Sequence, residues 1–221
     1  MMEDIKKISE TLLKNKVAVI VPTYNNSGTI VAVINSLLPY SNSIYIVNDG
    51  STDSTLTILE KFKTQIKVIG YTPNKGKGYA IKTGFKAVMQ DGYHYAITLD
   101  SDGQHFASDL AVFASAIEKH PTTLFVGNRG FGHKNMSGKS TFANKFSNFW
   151  FRLQTFTDLP DTQSGYRLYP LKKMGKMRLW TNRYEAEIEL LVFSAWRGIA
   201  IKPLPISVYY APIEERVSHF R

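Results

Sequence analysis

Cysteine is absent from the 221-residue chain. That excludes a disulfide framework and any thiolate metal site, and it suits a reducing compartment. Long apolar runs are missing as well. "VAVIVP" (Val17 to Pro22) and "ELLVFSAW" (Glu189 to Trp196) are typical, and both fall well short of the roughly 20 residues that span a bilayer. The N-terminal "MMEDIKKISETLLKNK" is charged throughout and has no apolar stretch of secretory type. Negative charge is also scarce: 18 Asp and Glu stand against 27 Lys and Arg, a formal net charge of +9. The expected partner is therefore anionic, whether nucleic acid, a phosphorylated ligand or an acidic membrane surface. Nucleic acid fits least, because the basic residues are dispersed and no zinc-finger spacing, RNP-type aromatic motif or basic helix with heptads occurs. No internal repeat or low-complexity tract is found either.

What is present is enough apolar residue, 43% of the chain, to bury one large core, and the length fits a single domain. Apolar, β-branched runs recur at Val17–Pro22, Ser43–Asn48, Ile66–Tyr71, Tyr95–Asp100 and Thr123–Asn128. Their continuous apolar character predicts strands buried on both faces. Helical periodicity fills the intervals at Thr29–Leu38, Ser54–Phe62, Tyr79–Met89 and Leu110–Ile117. This alternation predicts an α/β fold: a doubly wound, Rossmann-like, mainly parallel sheet with helices on both faces, whose ligands collect at the carboxyl ends of the strands.

From Phe131 onward the alternation becomes irregular. The sequence predicts a loop and an aromatic-rich helix, a second helix in "RYEAEIELLVFSAW", and an edge strand within Ile199–Tyr210 interrupted by Pro203 and Pro205. The stripe Phe146, Phe149, Trp150 reads as core, with a lipid-facing groove as the alternative.

Three carboxylates (Asp49, Asp100, Asp102) and one guanidinium (Arg129) fall at the predicted strand ends. In "ITLDSDGQH" the chain is expected to run on as extended backbone, so that Asp100, Asp102 and Gln104 share a face. Two like charges side by side repel, and a hard cation such as Mg²⁺ or Mn²⁺ between them relieves the repulsion. The same residues also make an ordinary loop of turn formers. Three tempting motifs fail. Gly132 to Gly138 has five intervening residues where a P-loop needs four. Gly103 is the fourth residue of the acidic loop, not the sixth as in an EF-hand. "GKG" lacks the spacing of a dinucleotide fingerprint; here Gly76 and Gly78 allow close backbone approach, and Lys75 and Lys77 are available to phosphate.

Read in order, "VPTYNNSGTI", "IVNDGSTDST", "NKGKGYAIKTGF", "ITLDSDGQH", "GNR" and "DTQSGYRLY" resemble the family 2 glycosyltransferases of GT-A fold. The likeness is nearest to the branch of dolichyl-phosphate mannose synthases and bacterial polyprenyl-phosphate glycosyltransferases, and it runs from about Val17 to Tyr169. It implies one domain over residues 1–221, with a nucleotide-sugar-binding half (17–130) and an acceptor-side half (131–221).

The resemblance also implies roles. Pro22, Tyr24, Val47 and Asp49 match nucleotide contacts, with Asn26 where the family usually has Glu and Asn48 where it usually has Asp. Asp100, Ser101 and Asp102 fall on the DXD motif, and Gln104 matches the residue that completes the site for Mg²⁺ or Mn²⁺. Arg129 matches an arginine that reaches donor phosphates, to which Lys77 in "NKGKGYAIKTGF" is also available, and Arg216 in "ERVSHFR" matches a basic segment closing over the diphosphate, with Arg221 as a further candidate. The implied reaction moves a sugar with inversion from a nucleotide-diphosphate-sugar to a lipid phosphate at a membrane surface. The expected location is the cytoplasm, at the inner face of that membrane. Asp102 and Arg129 are then catalytic. A lipid phosphate is already anionic and needs no general base. A sugar-hydroxyl acceptor would need one, with Asp161 first and Glu185 or Glu187 behind it. A non-enzymatic module that binds acidic lipid or nucleic acid is the remaining alternative.

Overall fold

The computed structural model describes residues 2–130, 138–175 and 179–209. An N-terminal helix α1 (Met2–Lys14) precedes β1 (Val17–Thr23), α2 (Ile30–Leu37), β2 (Ile44–Asp49), α3 (Thr55–Glu60) and β3 (Lys67–Tyr71). Next come α4 (Lys77–Gln90), β4 (Tyr95–Thr98), a short 3₁₀ turn and α5 (Leu110–Lys119), then β5 (Leu124–Asn128) and α6 (Gly138–Thr155). The chain continues through β6 (Arg167–Tyr169), α7 (Leu171–Met174), α8 (Glu185–Trp196) and β7 (Ile201–Pro205).

The seven strands form one sheet in the order β3-β2-β1-β4-β6-β5-β7. All neighbours are parallel except that β6 runs antiparallel to both β4 and β5. The alternating side chains of β1 explain the two layers. Val17, Val19 and Val21 enter one core with Ile30, Ile34 and Phe113 of α2 and α5. Ala18 and Ile20 enter the other, with Ile81 and Phe85 of α4 and Leu190 and Leu191 of α8. Among the described residues no helix is long and apolar enough to cross a membrane.

The structure corrects several expectations. β4 ends at Thr98, and residues 101–102 turn, so Asp100, Asp102 and Gln104 do not share one extended face. The cause is local: Asp102 Oδ1 accepts the backbone N–H of Gln104 at 2.9 Å, a side-chain turn that an acidic residue beside glycine favours. The stripe of Phe146, Phe149 and Trp150 lies on the surface, not in the core. α6 instead turns Asn144 and Phe151 inward. The proline-bearing strand is an edge, as expected, but is confined to Ile201–Pro205. Strand β6 has only three residues, too few to show a period, and helix α1 carried no sequence expectation.

Candidate active site

The carboxyl ends of β1, β2 and β4 bring the first loops together. Asn26 Nδ2 donates to Ser101 Oγ at 2.6 Å, and Thr29 Oγ1 donates to the Ser101 carbonyl at 2.6 Å. Asp49 is buried and accepts the backbone N–H groups of Lys75 and Gly76, one on each oxygen, both at 2.8 Å. Tyr24 stands exposed at this rim, whereas Pro22 is buried in β1 opposite Val47. Val47 is wholly enclosed in the α4-facing core, so its side chain is withdrawn from any ligand.

Three glycines set the geometry around the acidic loop. At the start of α4, Gly76 has φ +97°, and a Cβ on Gly78 would lie 2.7 Å from the Arg183 carbonyl, so α4 and the segment entering α8 meet backbone to backbone. Gly165, just before β6, lies against Asp100, and a Cβ there would overlap the carboxylate.

Lys77 therefore enters the site at close range. Its ammonium lies 2.6 Å from Asp100 Oδ1 and 2.8 Å from Glu187 Oε2. Burial alone would lower the pKa of Lys77, but Asp100 and Glu187 raise it, so it stays charged. Burial likewise opposes ionisation of Asp100, and the Lys77 charge overrules it and holds the carboxyl below its ordinary range. Asp102 is pushed up to about 6, first by desolvation in the concave site and then by the Asp100 charge. His105 approaches Asp100 Oδ2 at 3.9 Å; its burial lowers the imidazole to about 4, and among the described residues Nδ1 has no hydrogen-bond partner.

Arg129 and Asp161 form a two-pronged pair, Nε to Oδ2 at 2.7 Å and Nη2 to Oδ1 at 3.0 Å. Asp161 is 1% exposed and also accepts Asn144 Nδ2 and the backbone N–H of Gln163, both at 3.2 Å. Of the two reserve candidates for a base, Glu187 is buried and Glu185 is exposed. Behind them Arg167 is fully buried and donates to the carbonyls of Ser164 (2.7 Å), Thr162 (2.8 Å) and Glu187 (2.6 Å). His105, Gly165 and Arg167 escaped the sequence reading as site residues, although each lies inside or beside a quoted motif. Arg216 and Arg221 lie outside the described residues, as does most of "GHKNMSGKS".

Two carboxylates and a side-chain amide at a turn are the donor types that a small divalent cation takes. Among the described residues no three His, Asp or Glu groups converge on one point. That suits an ion which takes one or two protein carboxylates and completes its shell with substrate phosphates and water.

The glycosyl transferase family 2 model matches residues 18–175, more than half of the chain. The chain belongs to glycosyl transferase family 2. Among its relatives is the UDP-N-acetylglucosamine--dolichyl-phosphate N-acetylglucosaminyltransferase of Methanococcus voltae, 29% identical over 86% of this chain and 84% of the relative. A dolichyl-phosphate beta-glucosyltransferase of Saccharomyces cerevisiae is 26% identical over 86% of this chain and 66% of the relative. Among solved structures, the glucosyl-3-phosphoglycerate synthase of Mycobacterium tuberculosis in complex with Mn²⁺, UDP-glucose and phosphoglyceric acid superimposes with a TM-score of 0.69 at 18% identity. That match covers 96% of this chain and 78% of the other. This family 2 enzyme accordingly has the GT-A fold, and it is a glycosyltransferase.

Proposed function

We propose that this glycosyltransferase moves a sugar, with inversion, from a nucleotide-diphosphate-sugar to a polyprenyl or dolichyl phosphate presented at the inner face of a membrane. The relatives named above act on dolichyl phosphate, which supports the acceptor class. The observation that carries the reading is the state of Asp161. The carboxylate best placed by sequence to serve as a base is buried and held at both oxygens by Arg129. An acceptor that needs no base suits such a site, and a phosphate monoester is already ionised.

The residues divide the work accordingly. The loop around Tyr24, Asn26 and Asp49 receives the nucleoside. Asp100, Asp102 and Gln104 would hold a Mg²⁺ or Mn²⁺ ion, which would supply Lewis-acid neutralisation of the donor diphosphate. Lys77, Arg129 and Arg216 add positive charge where the leaving group gathers negative charge. Asp161 acts through Arg129 by fixing the guanidinium. A lipid-phosphate oxygen bonds to the anomeric carbon from the face opposite the diphosphate. The bond from that carbon to the diphosphate oxygen breaks, and its electron pair leaves on the nucleoside diphosphate.

A panel of UDP-, GDP- and dTDP-sugars with a short polyprenyl phosphate and Mn²⁺ tests this. The expected product is a phosphate-linked glycolipid of inverted anomeric configuration. Transfer to sugar hydroxyls alone, or no turnover of any pair, overturns the reading.

A further inference from the structure

The helices that build the acceptor side are apolar on the face turned away from it. At about 100° per residue, the inward residues of α6, Asn144, Asn148, Phe151 and Thr155, form one stripe. Phe146, Phe149, Trp150 and Leu153 form the opposite one, and Phe156 extends it past the helix end. These five side chains run from 43% exposed at Trp150 to 93% at Phe156. They are not scattered singly. Trp150 meets Phe146 and Phe149 edge to face, with ring centroids 6.1 and 5.7 Å apart. Trp196, at the end of α8, donates its indole N–H to the Gln154 carbonyl at 2.9 Å and carries the patch onto the second helix. Between the helices runs a groove of about 420 Å³ lined by Ile188, Val192, Phe193 and Trp196.

Contiguous exposed aromatics of this extent mark a surface that is covered in use. Charge identifies the cover. Lys145 and Arg152 lie seven residues apart and so share one flank of the aromatic stripe; both are exposed, and the chain carries +9 overall. Aromatic rings with a basic flank are the pattern of a helix lying in a lipid interface, rings in the acyl boundary and cations at anionic headgroups. The groove's carboxylates, Glu185 and Glu189, sit two to three turns from Trp196 at the start of α8, and Glu189 is occupied by the backbone N–H groups of Trp180 and Thr181. The reverse faces of the same two helices hold Asn144 against Asp161 and Glu187 against Lys77.

We infer that the α6 and α8 aromatic face docks this enzyme onto an anionic lipid bilayer, so that the acceptor's phosphate enters the site past the helices on which its tail's membrane rests. The inference rests on the lipid-phosphate reading given above and deepens it.

The full chain is mixed with phosphatidylcholine vesicles, with and without phosphatidylglycerol, and the bound fraction is measured by flotation. The expected result is binding to the anionic vesicles that weakens with salt. A Phe149→Ser/Trp150→Ser variant should lose at least about tenfold in partitioning, since two large aromatic side chains leave the interface. Lys145→Gln/Arg152→Gln should lose the preference for phosphatidylglycerol. Unfolding midpoints confirm that both variants fold, as substitution at exposed positions predicts. Wild-type protein that stays in the aqueous phase, or an aromatic variant that binds as well as wild type, overturns docking. So does an aromatic face that proves to join two copies, seen as a dimer in sedimentation that the double substitution dissolves while vesicle binding is nil. Transfer to a short water-soluble polyprenyl phosphate without vesicles is read in parallel. If it proceeds while vesicle binding fails, docking alone is wrong; if it fails while vesicle binding holds, the acceptor assignment is wrong.

Discussion

The loops at the ends of β1 to β4 are held to one another chiefly by hydrogen bonds, Asn26 and Thr29 on Ser101 and the backbone amides of Lys75 and Gly76 on Asp49, with one ion pair, Lys77 on Asp100. The elements from α6 onward meet those loops through full charges. Lys77 and Arg129 come from the donor half, and each finds a buried carboxylate from the acceptor half, Glu187 and Asp161. The difference teaches where the site is. It lies on an electrostatic seam between a part ordered by its backbone and a part ordered by ion pairs, and the seam's charges are those that a diphosphate would engage.

Breaking the seam should have the largest effect. Lys77→Met leaves Asp100 and Glu187 without the ammonium that lies between them, with Arg167 at 4.0 Å from Glu187 as the nearest remaining cation. Loss of one partner from a buried pair costs about 3–5 kcal/mol, read as a fall in the urea midpoint. Adding Glu187→Gln removes the stranded charge and should recover much of that loss. A double substitution no better than the sum of the singles would show that the two residues do not interact.

Next in size is a contrast between two glycines. Gly165→Ala drives a methyl group into the Asp100 carboxylate, and donor-dependent transfer should fall at least about a hundredfold, the scale of losing one transition-state contact, with Mn²⁺-dependent nucleotide binding lost alongside. Gly84→Ala places its methyl 2.7 Å from Ile20 Cγ2 in the core of the donor half. It should cost about 1–3 kcal/mol of stability through overpacking and leave the metal and nucleotide dissociation constants unchanged in the folded fraction. Equal effects of both substitutions on binding would erase the distinction between site and scaffold.

The same contrast explains what could be read in advance. Strands β1, β2, β4 and β5 and helices α2 to α5 announce themselves because a buried parallel strand and an amphipathic helix each repeat one pattern over several residues; β3, expected to be buried on both faces, is instead the sheet's other edge and has no fully buried residue. DXD was legible as chemistry, since paired acids at a strand end demand a counter-charge. The first counter-charge the structure supplies is Lys77. That was not legible, because it depends on Gly76 and Gly78 letting α4 touch the approach to α8, a contact between residues about a hundred positions apart. The partners of Glu187 were hidden for the same reason: nothing near it in sequence shows that its carboxylate meets Lys77 at 2.8 Å and Arg167 at 4.0 Å. The aromatic stripe was misplaced because period 3.6 gives α6 two candidate inner faces. Polar Asn144 won the inside by hydrogen bonding to Asp161, a partner that hydropathy does not see.

The smallest effect is expected where a charge pair lies within the donor half, away from the seam. Lys67 Nζ and the Tyr45 hydroxyl both meet Asp91 Oδ2 at 2.5 Å, but both charged side chains are substantially exposed. Solvent screening limits such a pair to about 0–1 kcal/mol. Its sign with pH is nonetheless fixed. The Lys67 hydrogen bond first, and then that of Tyr45, hold the Asp91 pKa below the ordinary carboxylate value. The folded state therefore binds that proton less readily than the unfolded chain. The contribution is complete above the unfolded pKa, about 4, and disappears as pH falls through the lower folded value. Comparing thermal midpoints of wild type and Asp91→Asn should show a small gap at neutral pH that closes on acidification and shrinks in high salt. A gap as large as that expected for Lys77→Met would mean that charge pairs hold the donor half as firmly as they hold the seam.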